Sequence, residues 1–258
     1  MDQVRVSIPA WLALIKIVIH VGVITRYGVF TDEFYYIACS DHLAFGYVDH
    51  PPLAAWLLAA VRFFLGESIA AIRLPAILAG AVVVYVCGLL ARELGGGRFA
   101  QALASLSALI APIYLGTNKF YSTNSFDMLF WTLAVYVLLR ILKEFRDTAV
   151  SPLRPWLLLG LVMGLGLMNK HSVLFLGYAF AAGLVLTPAR RLLRTPGPYV
   201  AGAIAALIFS PHLIWQIYHG WPTLEFMENS KRLKNYFYIG DFLVGQVLEM
   251  NKGKYQDP

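Results

Sequence analysis

Long apolar runs separated by short polar stretches are the feature that most limits how this chain can fold. Seven runs extend over residues 11–25, 69–90, 99–116, 126–142, 156–168, 172–186 and 199–218. A helix needs about 20 apolar residues to cross a bilayer, and several runs lie at or below the lower limit of that range. Hydrophobic residues make up 59% of the chain and charged residues 14%. This apolar share is larger, and the charged share smaller, than in typical soluble domains. We therefore expect an all-α membrane protein with about seven transmembrane helices in a single domain, residues 1–258.

The basic residues between the runs predict how the helices are oriented. Cytoplasmic loops are enriched in lysine and arginine. The residues that follow this rule are Arg92, Arg98, Arg140, Lys143, Arg146, Arg154, Arg190, Arg191 and Arg194. This pattern predicts a protein of the cytoplasmic (inner) membrane whose N-terminus lies on the inner, cytoplasmic side. The first loop (26–68), the turn near Lys119 and the C-terminal segment (219–258) are then outside. The net charge of +6 consequently indicates a membrane surface, and we expect no nucleic-acid partner.

The fifth and sixth runs allow two interpretations. Residues 156–186 form either one long helix interrupted at 169–171 or a hairpin of two short spans. A single span would put Arg154 and the basic cluster at 190–194 on opposite faces of the membrane, against the positive-inside rule. The charges therefore favour the hairpin, with Lys170 at its outer tip.

The first outer loop is polar and rich in aromatic residues, unlike a plain connector. Asp32, Glu33, Asp49 and His50 lie within it. Residues 53–65 of the loop are apolar but too short to span, which is typical of a helix lying in the membrane interface. The two prolines at 51–52 would fix the start of that helix.

The acids of this loop are candidates for chemistry, although each also has a simpler explanation. Asp32 and Glu33 can act as a general base on a hydroxyl group, or they can be solvated charges or a helix cap. Asp49 and His50 offer oxygen and imidazole ligands for a divalent cation. A rigid turn facing water explains the same pair, since a metal site usually needs three or four ligands.

Three further charges lie at the predicted outer ends of spans. Lys119 and Lys170 can each contact a lipid phosphate as a point charge, or they can extend to the interface without a partner. Asp127 begins the fourth run, where an acid is either functional or matched to the helix dipole.

Several strings in the chain resemble polytopic GT-C glycosyltransferases of the family 39/83 group. TDEFYY at 31–36 and GYVDHPPL at 46–53 are similar to the first outer loop of that group. GLGLMNK at 164–170 resembles its fifth span, and PHLIWQ at 211–216 followed by HGWP at 219–222 resembles the end of its seventh. The group includes protein O-mannosyltransferases, lipid A aminoarabinose transferases and lipopolysaccharide galacturonosyltransferases.

The resemblance implies an inverting glycosyltransferase with the N-terminal half of a GT-C fold. Its donor would be a polyprenyl-phosphate sugar, and its acceptor a hydroxyl of a lipid, glycan or protein on the outer side of the membrane. Asp32 matches the catalytic acid, with Glu33 beside it. Asp49 and His50 match a pair near the donor phosphate and, in some members, a divalent metal, and Lys170 and Lys119 are further candidate phosphate contacts.

Two alternatives to an active transferase remain at the level of sequence. A transporter or flippase-like protein would carry charges or broken helices at mid-membrane depth, whereas the acids here cluster in an outer loop. Because members of the resembled group are about twice as long, an inactive truncated fragment is the second alternative.

Overall fold

The computed structural model describes residues 7–26, 28–233 and 240, and this part of the chain is helical with short connections. The helices are α1 (Ile8–Val23), α2 (Thr31–Asp41), α3 (Leu53–Leu65), α4 (Ile69–Glu93), α5 (Arg98–Ile110), α6 (Pro112–Thr117), α7 (Thr123–Thr148), α8 (Leu153–Asn169), α9 (Val173–Leu186), α10 (Gly197–Tyr218) and α11 (Pro222–Leu233). A 3-10 helix, Pro188–Arg194, lies between α9 and α10. Most of the predicted C-terminal outer segment, 219–258, lies outside the described residues.

The predicted all-α membrane protein is confirmed, whereas the predicted number of seven spans is not. Among the described helices, α4, α7 and α10 are long and apolar enough to cross a membrane. A fourth span results if α9 and the 3-10 helix, which meet at an angle of 104°, are counted together. The helices α1, α3, α5 and α8 are apolar but have 17 residues or fewer. The apolar runs therefore coincide with helices, except that the third run, 99–116, is divided at Ala111 into α5 and α6. The chain is an integral membrane protein.

Glycines allow α8 and α10 to pack in the most extensive helix contact of the described residues. A Cβ atom at Gly160 would lie 2.7 Å from the carbonyl oxygen of Ala201, and one at Gly164 would lie 2.8 Å from Ile208. Small residues four apart let two helix backbones approach within a membrane, where packing rather than the hydrophobic effect holds helices together. The predicted glycine-rich span is thus an interface with α10.

The polar residues inside α1 face protein. Lys16 is fully buried and donates through Nζ to the carbonyl oxygen of Tyr114 at 3.0 Å. His20 is also buried and lies 3.4 Å from the carbonyl oxygen of Leu115. These contacts attach α1 to α6.

The connections gather at two ends of the helix bundle. At one end, Lys143 of α7 forms an ion pair of 2.9 Å with Glu93 of α4, and the 3-10 helix borders the last turn of α7. We call this the basic end, since the predicted inner arginines and lysines lie in or beside its loops. The opposite, first-loop end holds α2, α3, the start of α7 and the break at residues 170–172, which separates α8 from α9. Both interpretations of this region included such a break, and the hairpin stays a prediction.

Candidate functional site

The first turn of α2 is fixed by Glu33, which is 2% exposed. Its Oε2 accepts a hydrogen bond of 2.9 Å from the backbone N–H of Phe30, which satisfies a free donor at the helix start. Its Oε1 accepts a second bond, of 3.0 Å, from the backbone N–H of Tyr121. Glu33 therefore joins the start of α2 to the segment that leads into α7.

Arg73 of α4 completes this arrangement by pairing with both oxygens of Glu33. Its Nε lies 2.8 Å from Oε1 and its Nη2 lies 2.6 Å from Oε2. The same guanidinium donates to the carbonyl oxygens of Ile24 and Gly28, which follow α1. Burial opposes ionisation of Glu33, but the bonds from Arg73, Phe30 and Tyr121 outweigh it and lower its pKa below the ordinary value of 4.5. The Glu33–Arg73 pair therefore joins α2 and α4 to the end of α1 and the start of α7.

Asp32, the predicted base, lies beside this pair yet remains exposed. Its carboxylate accepts no hydrogen bond from the residues that the structure describes. The pKa of the neighbouring Tyr36 phenol is raised mainly by burial, and the negative charges of Asp49 and Asp32 raise it further. Both carboxylates thus lie near the same phenol. Of the two adjacent acids, Glu33 stabilises the fold and Asp32 is exposed at the protein surface.

His50 is buried in an aromatic cage formed by three tyrosines. The centroid of its ring lies 5.6, 5.2 and 5.0 Å from those of Tyr35, Tyr36 and Tyr47. Its Nδ1 lies 2.7 Å from the carbonyl oxygen of Pro51. Because a carbonyl can only accept, Nδ1 carries the proton and the neutral ring has a lone pair on Nε2. Burial lowers the pKa of His50, so the neutral form is favoured.

This tautomer affects the two roles predicted for His50, as a metal ligand and as a contact of the donor phosphate. The Nε2 atom is buried and has no hydrogen-bond partner in the described part of the chain. A lone pair suits a metal ion or a hydroxyl donor, whereas a phosphate contact would require the ring to gain a proton against its lowered pKa. Asp49 accepts a hydrogen bond from the hydroxyl of Tyr35 through Oδ1, which leaves Oδ2 for a ligand.

The described residues do not form a complete metal site by themselves. No group of three or more histidine, cysteine, aspartate or glutamate side chains among them is arranged to hold an ion. Asp49 and His50 would have to be supplemented by further ligands, such as oxygens of a substrate or of water, to complete a divalent-metal site. The predicted divalent metal therefore stays a prediction, and no step of the reaction below depends on it.

A pair of histidines attaches the first loop to α10. His212 is fully buried, and its Nδ1 lies 2.9 Å from the carbonyl oxygen of Phe45. Its Nε2 therefore accepts, and it lies 3.0 Å from Nε2 of His171 in the turn between α8 and α9. Gly46 packs so closely here that a Cβ atom would lie 2.4 Å from the Trp215 ring. The loop that carries Asp49 and His50 is consequently held against α10.

The predicted phosphate-binding lysines both lie at the first-loop end. Lys170 is partly exposed and donates to Oδ1 of Asn124 at 2.6 Å, with Oδ2 of Asp127 at 3.7 Å. Asp127 also accepts a bond of 2.6 Å from the hydroxyl of Ser172. Lys119 is exposed at the end of α6. Lys170 is thus oriented by α7, and its partial exposure leaves room for a further anionic ligand.

Sequence reasoning gave no role to Arg73, Tyr121 or His171, which build the site. Tyr121 is fully buried and donates to the carbonyl oxygen of Ala54 at 2.6 Å. A usable signal existed only for Arg73, because a charge inside an apolar run needs a partner within the protein. The contacts of Tyr121 and His171 join residues far apart in the chain, which no local pattern reveals.

Comparisons with known proteins show which sequences this chain is similar to. The family model for dolichyl-phosphate-mannose-protein mannosyltransferases matches residues 49–215. A lipid A galacturonosyltransferase of Rhizobium johnstonii is 27% identical over 197 residues, 76% of this chain and 40% of the relative. A lipopolysaccharide core galacturonosyltransferase of the same organism is 28% identical over 206 residues, 77% of this chain and 40% of the relative. No solved structure matches the chain.

The chain spans about 40% of the length of these curated relatives. The family match begins at Asp49, so it includes the cage histidine, Arg73, Lys170 and the α8–α10 interface, but not Asp32. The matched residues cover more than half of the chain. The chain therefore belongs to the dolichyl-phosphate-mannose-protein mannosyltransferase family.

Proposed function

We propose that this chain carries the acceptor-activating site of a glycosyltransferase. The enzyme would transfer a sugar from a polyprenyl-phosphate donor to a hydroxyl group of a lipid, glycan or protein, with inversion at the anomeric carbon. The observation that carries this proposal is the contrast between Glu33, enclosed by four hydrogen bonds, and its exposed neighbour Asp32. A catalytic base must reach its substrate, and Asp32 alone of this pair can do so.

In the proposed reaction, Asp32 takes the proton from the acceptor hydroxyl as its oxygen attacks the anomeric carbon. The bond between that carbon and the phosphate oxygen breaks, and the polyprenyl phosphate leaves with the electron pair. Negative charge develops on the phosphate, so a nearby cation lowers the barrier. Lys170 is the better-placed candidate for this contact, and Lys119 is the second. A divalent ion held by Asp49 and His50 would supply further positive charge to the same phosphate.

The names of the two relatives suggest which substrates to test first. Both are described as galacturonosyltransferases, one acting on lipid A and the other on the lipopolysaccharide core. We therefore propose polyprenyl-phosphate galacturonic acid as the first donor and lipid A or core oligosaccharide as the first acceptors. Polyprenyl-phosphate mannose is the comparison donor, as the family name suggests.

The proposed orientation puts the first-loop end outside the cytoplasmic membrane. Nine arginine and lysine residues lie in or beside the loops of the basic end, and loops rich in these residues face the cytoplasm. A lipid-linked donor would then reach Asp32 from the outer leaflet.

Labelling with a membrane-impermeant thiol reagent tests this topology in a chain whose Cys39 and Cys87 are replaced by alanine. Leu43 and Arg190 are both exposed, at the first-loop end and the basic end respectively. Reagent added from outside the cell should label Leu43→Cys and leave Arg190→Cys unmodified. Labelling of Arg190→Cys alone would show the opposite orientation.

The decisive experiment compares Asp32→Asn with Asp147→Asn in membranes that contain the full chain. Both substitutions remove one exposed carboxylate, but Asp147 lies at the basic end. Loss of a general base should lower the rate of sugar transfer by about 10²–10⁴-fold, whereas Asp147→Asn should leave it unchanged. Equal transfer rates for wild type and Asp32→Asn would refute the role of Asp32. No transfer by the wild type from either donor would contradict the transferase proposal itself.

A further inference from the structure

A cavity of about 470 Å³ opens at the basic end, far from the first loop. It lies between the last turns of α7 and the 3-10 helix, and its apolar wall includes Leu142, Phe145 and Pro188. Arg146 and Arg191, from these two elements, also line it. The cavity therefore combines an apolar wall with two cations, which is the combination that a lipid headgroup and its first acyl carbons require.

The 3-10 helix is held across the end of the bundle rather than along it. It meets α9 at 104°, and Leu192 is fully buried in the cluster that contains Trp156. Arg190, Arg191 and Arg194 remain exposed on the same short element. An element with an anchored apolar side and a cationic side is typical of a membrane interface. In a membrane, such an element would place Arg191 at the depth of the lipid phosphates.

The two cavity arginines retain donors for an anion. Arg191 makes no hydrogen bond or ion pair within the described parts of the chain. Arg146 donates only through Nε, to Oδ1 of Asp147 at 2.9 Å, so its two terminal nitrogens stay available. Guanidinium groups bind phosphate through paired donors.

Opposing charges near the cavity are smaller than the positive charge. The C-terminus of α7 contributes a partial charge of about −0.5, Asp147 offsets one arginine, and the exposed Glu144 of α7 adds one further negative charge. Arg191, Arg190 and Arg194 then leave a clear positive excess on the facing element. Glu93 is already paired with Lys143 and does not reduce it.

We propose that this cavity binds the phosphate group of an anionic phospholipid at the basic end of the bundle. The proposal is independent of the glycosyl transfer above, because it uses none of the residues at the first-loop end. The bound lipid would fix the 3-10 helix against α7 and thereby the bend between α9 and α10.

The test is lipid retention by the full chain. Wild type, Arg146→Gln, Arg191→Gln and the matched control Arg98→Gln are placed in nanodiscs of phosphatidylcholine with a minority of phosphatidylglycerol. After extraction, native mass spectrometry measures the ratio of the two lipids that stay bound. Arg98 is another exposed arginine of the same end, and it does not line the cavity. Wild type should retain phosphatidylglycerol preferentially, and each cavity variant should retain about fivefold less.

The control variant and a free anion decide what the result means. Arg98→Gln should match wild type, and an equal loss in this variant would show diffuse attraction and overturn the site. Inorganic phosphate should neither displace phosphatidylglycerol nor stabilise the lipid-free chain against heat. Stabilisation by inorganic phosphate that depends on Arg146 and Arg191 would assign the cavity to a free anion and overturn the lipid proposal. Circular dichroism checks that both variants, which alter exposed side chains only, keep their helices.

Discussion

Glu33→Gln should destabilise this protein far more than the removal of an exposed acid from the same loop. The substitution keeps the shape of the side chain but removes the negative charge that Glu33 holds against the guanidinium of Arg73, which is 1% exposed. Breaking a buried ion pair in this way costs about 3–5 kcal/mol. The matched control is Asp41→Asn, because Asp41 is half exposed and pairs with Arg62, which keeps Glu67 as a second partner. An exposed pair contributes about 0–1 kcal/mol.

The free energy of unfolding in detergent, from denaturant titration followed by circular dichroism, measures both variants. Adding Arg73→Met to Glu33→Gln tests the pair itself, since residues in direct contact show a coupling energy of about 0.5–3 kcal/mol. Equal losses for Glu33→Gln and Asp41→Asn, or strict additivity with Arg73→Met, would refute the argument that this pair holds α2 to α4.

The pH dependence of the same pair has a defined sign. The pKa of Glu33 is lower in the folded chain than its ordinary value of 4.5. Its contribution to stability is therefore complete above pH 4.5 and is lost as the pH falls through the folded pKa. Wild type should lose stability below pH 4.5, and Glu33→Gln should show a shallower acid dependence. If the stability of Glu33→Gln falls with acid as steeply as that of wild type, Glu33 is not the source of this pH dependence.

Two further predictions concern the first loop. Gly46→Ala should lower the free energy of unfolding by about 1–3 kcal/mol, because its Cβ would lie 2.4 Å from Trp215; Gly22→Ala, with nothing within 4 Å, is the control. His50→Gln should weaken the loss of stability as the pH falls below 6.5, because burial lowers the pKa of His50 below that value and its protonation opposes folding. Some dependence should persist through His171, whose pKa burial lowers to about 4. If the His50 variant loses stability with falling pH as steeply as wild type, His50 does not contribute to this pH dependence.

The helix positions could be predicted from the sequence because a bilayer imposes a simple requirement on it. The apolar stretch at 53–65 coincides with α3, Leu53–Leu65, and the run at 172–186 coincides with α9 to within one residue. The break between α8 and α9 lies at the polar residues 169–171 that interrupt the apolar stretch 156–186. The number of spans did not follow, since apolar composition does not distinguish a short span from a helix packed inside the protein.

The region of the candidate site could be predicted from the sequence, but the contacts between its side chains could not. Asp32 and Glu33 are adjacent and chemically alike, so no pattern could tell that Glu33 meets Arg73, 40 positions away, while Asp32 stays exposed. The tautomer of His50 depends on the carbonyl of Pro51, and the binding of the loop to α10 depends on His212, 167 positions from Phe45.

The sequence by itself determined the membrane, the helices and the end at which the acids gather, because hydropathy and charge act on each segment independently of the rest. Only the tertiary structure decided which carboxylate is structural and which is free. That choice depends on which groups are close enough to desolvate and pair with one another. This proximity depends on the packing of α2 against α4 and α7, which brings together residues far apart in the chain.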